Sequence, residues 1–169
     1  MRVCFRMVAV GFSHRDGFGA TDGATEEMIM PTCPLRVLLV DDNETFLEIL
    51  TRFLQESHGG EFVVVGTAGK SAEALAQANA LQPQVILLDF DLPEGQRSAL
   101  IRDLRIALPQ VSIVAMTLQD PGVYDYCRRV ALADGADDLI LKNVLTTELL
   151  PCVQRVVQAK QTPGDVPVT

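Results

Sequence analysis

Five short apolar runs punctuate the chain: Arg36-Val-Leu-Leu-Val40, Glu61-Phe-Val-Val-Val65, Gln84-Val-Ile-Leu-Leu88, Val111-Ser-Ile-Val-Ala115 and Asp138-Leu-Ile-Leu141. Mostly β-branched and lacking a steady polar alternation, they suit strands buried on both faces. After each run the spacing changes. Phe46, Leu47, Ile49, Leu50, Phe53 and Leu54 recur at helical intervals, and Glu73 to Leu81, Ser98 to Leu108, Val123 to Ala133 and Thr147 to Ala159 repeat the theme. Five strands therefore alternate with five helices. Each right-handed crossover must lay its helix back on the sheet, so the pattern predicts an α/β protein with a doubly wound, five-stranded parallel sheet and helices on both faces.

Local chemistry marks some of the boundaries. Ser71 is placed to cap the second helix, and Thr146 or Thr147 the last, where Pro151 would fall near the first turn and its missing N–H would do little harm. Phe46, Phe53 and Met116 read as core packing.

Composition bounds the rest. A chain of 169 residues, 48% hydrophobic and 21% charged, supports one domain with a sizeable core. Three segments are expected: a Gly-, Thr-, Asp- and Glu-rich leader over residues 1–34, a folded domain over 35–160, and a Pro-rich tail over 161–169. Arg6 interrupts the apolar start and no small-residue cleavage pattern follows, so a secretory signal is rejected, and Met28 or Met30 offers an alternative start. The net charge of -8, with no local basic cluster, argues against direct nucleic-acid binding. The longest apolar stretch, around Val37 to Val40, falls far short of the roughly 20 residues a membrane helix needs. A soluble protein with no membrane partner is expected. Cys4, Cys33, Cys127 and Cys152 form no C-x-x-C pair and read as small hydrophobes in a reducing compartment, while His14 and His58 read as loop residues.

In a doubly wound sheet, ligands gather at the carboxyl ends of the strands, and polar groups fall at those ends here. Asp41 and Asp42 follow the first run, Asp89 the third, Thr117 the fourth and Lys142 the fifth. An unpaired charge on a buried strand is costly, which places Asp89 at the strand's exit, meeting solvent. Three carboxylates crowded on one rim raise each other's proton affinity unless a cation neutralises them, and an all-oxygen set suits Mg²⁺. With such an ion present, one carboxylate becomes a nucleophile toward phosphorus, Lys142 a point charge for the phosphoryl oxygens, and Thr117 a hydroxyl donor. Taken singly, each residue also has a plainer role: Asp42 or Asn43 caps the first helix, Asp89 makes a turn, and Lys142 is a solvated charge.

Val40-Asp41-Asp42, Leu87-Leu88-Asp89 followed by Leu92-Pro93, Ala115-Met116-Thr117 and Gly135-Ala-Asp-Asp-Leu-Ile-Leu-Lys142 together resemble the receiver domain of bacterial two-component response regulators. The resemblance covers residues 35 to about 160, in the right order. It implies a flavodoxin-like (βα)5 fold with strand order 2-1-3-4-5. Asp89 is then the phosphate acceptor and Thr117 and Lys142 its phosphoryl contacts. Asp41, Asp42 and Asp89 hold Mg²⁺, Asp42 directly, and the backbone carbonyl of Asp91 completes the metal site. The implied donor is a sensor histidine kinase or a phosphotransfer protein. No output module follows Lys160, so the domain is expected to act alone in the cytoplasm, as a carrier in a phosphorelay or through an unknown downstream protein, catalysing only its own phosphorylation and dephosphorylation.

Several positions depart from the family pattern. Leu139 stands where the family usually carries an aromatic switch, Leu118 is bulky where a small residue normally follows the threonine and is expected to narrow access, and Asn143 replaces the usual Pro or Asp. Pro121-Gly122 reads as an extra turn, and Tyr124 or Tyr126 on the fourth helix is a candidate substitute for the missing aromatic. Two other functions compete. Asp89-Phe-Asp91 also fits a phosphatase of the haloacid dehalogenase type, although that family places its acidic metal pair after the lysine. The second competitor is a receiver-like interaction module that no longer cycles.

Overall fold

Alternate residues of the central runs segregate to opposite faces of one sheet, and that alternation builds two cores. The computed structural model describes residues 33–92 and 94–161, of which those from Pro34 onward belong to one unit. Residues 1–32 of the leader and 162–169 of the tail, with the alternative starts, Cys4 and His14, therefore lie outside the described residues. Five strands, β1 (Leu35–Val40), β2 (Phe62–Ala68), β3 (Val85–Asp89), β4 (Ser112–Thr117) and β5 (Asp138–Leu141), alternate with α1 (Glu44–His58), α2 (Ser71–Leu81), α3 (Glu94–Ala107), α4 (Tyr124–Asp134) and α5 (Leu145–Gln161). All strand pairs are parallel and the order is β2-β1-β3-β4-β5, as the resemblance implied. Leu38, Val40, Ile86, Leu88, Ile113 and Leu139 face α2, α3 and α4, against Ala74, Ala78, Leu100, Ile101, Leu104 and Ala131. Val37, Leu39, Leu87, Val114, Met116 and Ile140 face α1 and α5, against Leu47, Leu50, Leu54, Leu149 and Val153. Burying both faces explains why the strands carry no polar alternation.

The edge strand β2 runs past the expected end at Val65 to Ala68, because a bulge absorbs the glycine. Val37 pairs with Val64 but Leu38 with Gly66, so Val65 is the extra residue. A Cβ on Gly66 would come within 2.3 Å of Gln77 Oε1 and 2.8 Å of a Leu81 methyl, so a side chain there would require the ends of these two α2 side chains to move aside.

The expected helix caps are partly corrected. Asn43 does cap α1, accepting from the Phe46 amide at 3.0 Å. Ser71 does not cap α2: it is the first helical residue, its hydroxyl is buried without a partner, and Lys70 precedes it without a side-chain cap. Glu73 instead reaches back to the Gly69 amide at 3.1 Å. Neither Thr146 nor Thr147 caps α5, because a 3₁₀ turn over Lys142–Val144 leads into the helix at Leu145 and the Thr147 hydroxyl donates to the Val144 carbonyl. Pro151 consequently sits inside α5, deeper than expected. The carbonyl deprived of its donor is that of Thr147, and both residues lie on the exposed side, which lets the helix continue. Pro121–Val123 forms a 3₁₀ turn, and His58 closes α1 edge-on to Phe53 and Phe62 rather than lying in a loop. Cys127 and Cys152 are buried and unbridged, and burial pushes the Cys152 thiol up to about 11.

At the amino end of β5, Asp138 is 3% exposed and ties the sheet to two helices through Arg128 of α4, 2.9 Å away, and Arg155 of α5. Burial alone would raise its pKa, but hydrogen bonds from Arg155, the Leu139 amide and Arg128 hold it below the usual carboxylate range. A depressed folded pKa contributes stability that is present above the unfolded value and lost as pH falls through the folded one. Asp138→Asn is therefore expected to cost about 1–3 kcal/mol at pH 7 and progressively less below pH of about 4. Urea denaturation at several pH values measures both; a deficit independent of pH would show that shape, not charge, is what Asp138 supplies.

Candidate functional site

Parallel pairing in register brings the carboxyl ends of β1, β3, β4 and β5 to one rim. Val40 pairs with Leu88, Asp89 with Met116, and Thr117 with Leu141, so Asp41, Asp89, Thr117 and Lys142 follow side by side. The strand order reverses between β1 and β3, and the crevice outside that reversal is where open α/β sheets hold ligands. Asp41-Asp42 and Asp89 flank it.

The acidic residues converge. Carboxylate oxygens of Asp41, Asp42 and Asp89 lie within 4.8 Å of one another. Asp41 and Asp89 are buried, at 1% and 3% exposure, whereas Asp42 is exposed. Asp89 does stand at the strand's end, but the expectation that it meets solvent is corrected: Lys142 lies over it, with Nζ 2.9 Å from Asp89 Oδ1 and 2.6 Å from Asp41 Oδ2. A buried charge is tolerable beside such a partner. Asp41 is held further by the Asn43 amide at 2.9 Å. Burial raises the pKa of Asp89, with the Lys142 hydrogen bond opposing. For Lys142, burial works to lower the pKa, but hydrogen bonds to Asp41 and Asp89 win and raise it, so the ammonium is kept. Three carboxylates against one ammonium leave the cluster two charges negative, and an all-oxygen set of that charge fits a hard divalent cation.

Thr117 and Asp91 are arranged differently. Thr117 is fully buried, and its hydroxyl donates to Asp91 at 3.1 Å. The Leu118 amide at 3.1 Å and the Gln119 side-chain amide at 3.2 Å donate to the same carboxylate. The side chain of Asp91 thus serves β4 and does not join the acidic cluster, while its amide donates to Asp89 Oδ1 at 3.1 Å. The Leu118 side chain, 70% exposed, projects into solvent instead of narrowing the site. Tyr126 is exposed. Tyr124 is half-buried, and its hydroxyl donates to the Leu139 carbonyl at 2.7 Å, tying α4 to the position where an aromatic is missing.

Two contributors fall outside the expected site residues. Phe46, expected only in the core, also reaches the site: Lys142 Nζ lies 4.5 Å from its ring centroid, so the ring steadies the ammonium. Arg97 of α3 is 5% exposed, donates to the Phe90 carbonyl at 3.1 Å, contacts Asp134 at 3.2 Å and covers the Phe90 ring. It pins the residue between Asp89 and Asp91. A signal existed: Arg97 falls in register with Leu100, Ile101 and Leu104 on the buried stripe of its helix, where a solvated charge has no place.

A family model described as the response regulator receiver domain matches residues 37–154. The DNA-binding transcriptional activator DevR/DosR of Mycobacterium tuberculosis is 34% identical over 126 residues, which are 72% of this chain and 54% of that protein. A protein-glutamate methylesterase/protein-glutamine glutaminase of Bacillus licheniformis is 32% identical over 64% of this chain and 29% of its own length. The chain thus spans about half the length of the first relative and less of the second. Among solved structures, the signal receiver domain of the response regulator NarL from Mycobacterium tuberculosis is 30% identical with a TM-score of 0.59, covering 74% of this chain and 97% of that one. The receiver domain of AraT from Geobacillus stearothermophilus, 23% identical with a TM-score of 0.60 over 75% of this chain and 95% of its own, shares the fold.

Proposed function

The chain belongs to the response regulator receiver family, and on that premise we propose that it accepts a phosphoryl group on Asp89 from a sensor histidine kinase or a phosphotransfer protein. The observation that carries this reading is one buried carboxylate held 2.9 Å from a buried lysine, with two further aspartates whose oxygens lie within 4.8 Å. In the transfer, one Asp89 oxygen bonds to phosphorus as the donor's P–N bond (phosphohistidine) or P–O bond (acyl phosphate) breaks, and the leaving group takes the bonding pair. Lys142 presents its charge to the phosphoryl oxygens, and the hydroxyl of Thr117 and the amide of Leu118 are the donors on the β4 side. Asp41, Asp42 and Asp89, with the backbone carbonyl of Asp91, are the groups that would hold Mg²⁺. When bound, that ion offsets the repulsion between the acidic rim and the phosphoryl oxygens.

The new negative charge is read by a partner protein through the α4–β5–α5 side, where Tyr124 and Leu139 meet. Direct DNA contact is a property of the DevR/DosR relative and does not suit a chain with a net charge of -8. A cytoplasmic location belongs to the same proposal. No helix among the described residues is long and apolar enough to cross a membrane.

Incubation with acetyl phosphate and Mg²⁺, followed by intact-mass measurement, tests the reading. One phosphoryl group per chain, labile in base and absent with EDTA, is expected. Continuous turnover of a phosphate monoester would instead favour the dehalogenase-type phosphatase, and a protein that stays unmodified would favour the interaction module.

A further inference from the structure

Three hydrogen-bond donors at the carboxyl end of β4 converge on a single anion that belongs to the chain itself. The Thr117 hydroxyl and the Leu118 amide, each at 3.1 Å, and the Gln119 side-chain amide at 3.2 Å all donate to the Asp91 carboxylate. Asp91 is exposed, so nothing in its own burial requires this: water would solvate it equally well. Thr117 is the reverse case. Its hydroxyl is fully buried and needs an acceptor, and Asp91 supplies one.

The phosphoryl group placed on Asp89 needs those same donors. Lys142 is already shared between Asp41 and Asp89, so the β4 donors are the uncharged groups left at the rim for its oxygens. A phosphoryl group and a carboxylate cannot both occupy them, because two anions on the same donors repel at hydrogen-bond distance. Resting on the phosphoacceptor reading above, we propose that the Asp91 side chain is an internal competitor. It holds the phosphoryl-oxygen donors in the unmodified protein, must leave them when the group arrives, and so slows phosphorylation and selects for donors that bind well enough to displace it. Its departure turns Thr117, Leu118 and Gln119 from one anion to another and releases a carboxylate to the surface beside the new phosphoryl group, which couples the chemistry to the loop after β3.

The sign of the effect separates competition from support. If Asp91 competes, the rate of phosphorylation by acetyl phosphate rises in the order wild type, Asp91→Asn, Asp91→Ala, with the alanine variant faster by on the order of tenfold, the worth of one charged hydrogen bond. Affinity for beryllofluoride, a tetrahedral stand-in for the phosphoryl group, rises in the same order. A supporting role reverses the order, and either variant slower than wild type, or both equal to it, would overturn the proposal. A readout independent of the reaction is the Leu118 amide proton resonance in metal-free protein. It is expected to move upfield in Asp91→Ala, as its carboxylate partner is lost, and an unmoved resonance would also overturn the proposal. Failure of wild type and both variants alike to gain a phosphoryl group would overturn the acceptor reading, and the competitor proposal with it; a wild type that gains it at the variants' rate overturns only the competitor.

Discussion

Asp89→Asn is expected to gain no phosphoryl group from acetyl phosphate under conditions where the wild type reaches one per chain. The loss should be complete rather than partial. An amide oxygen is not a nucleophile toward phosphorus at neutral pH, and the neighbouring carboxylates are poor substitutes. Asp41 is 1% exposed and bound at one oxygen by the Asn43 amide and at the other by Lys142, while Asp42 is exposed and lacks the lysine. Intact mass checks this directly, and base-labile phosphate retained on Asp89→Asn would place the acceptor elsewhere. The same variant should be more stable than wild type in metal-free buffer. Because burial raises the pKa of Asp89, the folded state binds its proton more tightly than the unfolded chain does. The ionised carboxylate therefore costs stability at neutral pH, a cost that fades as pH falls through the folded pKa and that a neutral amide removes throughout. A gain of about 1 kcal/mol, or roughly 2–8 °C in Tm, is the expected scale.

The central strands were legible because burial on both faces leaves no polar alternation to confuse them. The β5 range Asp138–Leu141 matches its expected limits. The expected edge strand stops short of Gly66, since a glycine reads as a break unless the partner's register is known, and here the glycine follows a bulge and lies against the Gln77 and Leu81 side chains of α2. Asn43 caps α1 as expected, but Ser71 and the threonines of α5 do not cap, for a related reason. A hydroxyl near a helix start is a cap only if the chain enters with the right geometry, and the 3₁₀ turn after β5 moved the start of α5 ahead of both threonines.

At the site, acids and lysine were legible because strand ends are fixed by hydrophobic periodicity, and parallel pairing then aligns whatever follows each strand. Side-chain direction was not legible. For Asp91 only the backbone carbonyl is expected at the metal site, and nothing in the sequence marks that its carboxylate accepts from the donors of β4, on the loop between β3 and α3 that Arg97 fastens through the Phe90 carbonyl. Arg97 carries only a faint signal, because arginine on a helix is ordinarily solvated and only its phase with Leu100, Ile101 and Leu104 marks it as buried.

Lys142→Ala should be the most destabilising substitution at the rim, and the deficit should be recoverable with a divalent cation. The lysine is the one ammonium between two carboxylates that are 1% and 3% exposed, at 2.6 and 2.9 Å. Deleting it strands both acids, and breaking a buried ion set by removing one partner costs about 3–5 kcal/mol. That is a large share of the roughly 5–15 kcal/mol that holds a domain of this size together. With the ammonium gone the cluster becomes more negative, so Mg²⁺ binds it more tightly, and binding to the folded state alone adds about 2.7 kcal/mol at a hundred times Kd. Urea denaturation of wild type and Lys142→Ala, with EDTA and with Mg²⁺, reads both effects: a wide gap without metal, a narrow one with it. Asp89→Asn combined with Lys142→Ala should recover part of the loss in EDTA, because a single buried carboxylate is then left uncovered, and the coupling between two residues in contact measures their ion pair. Equal stabilisation of both proteins by Mg²⁺ would mean that the lysine and the metal do not answer the same charge.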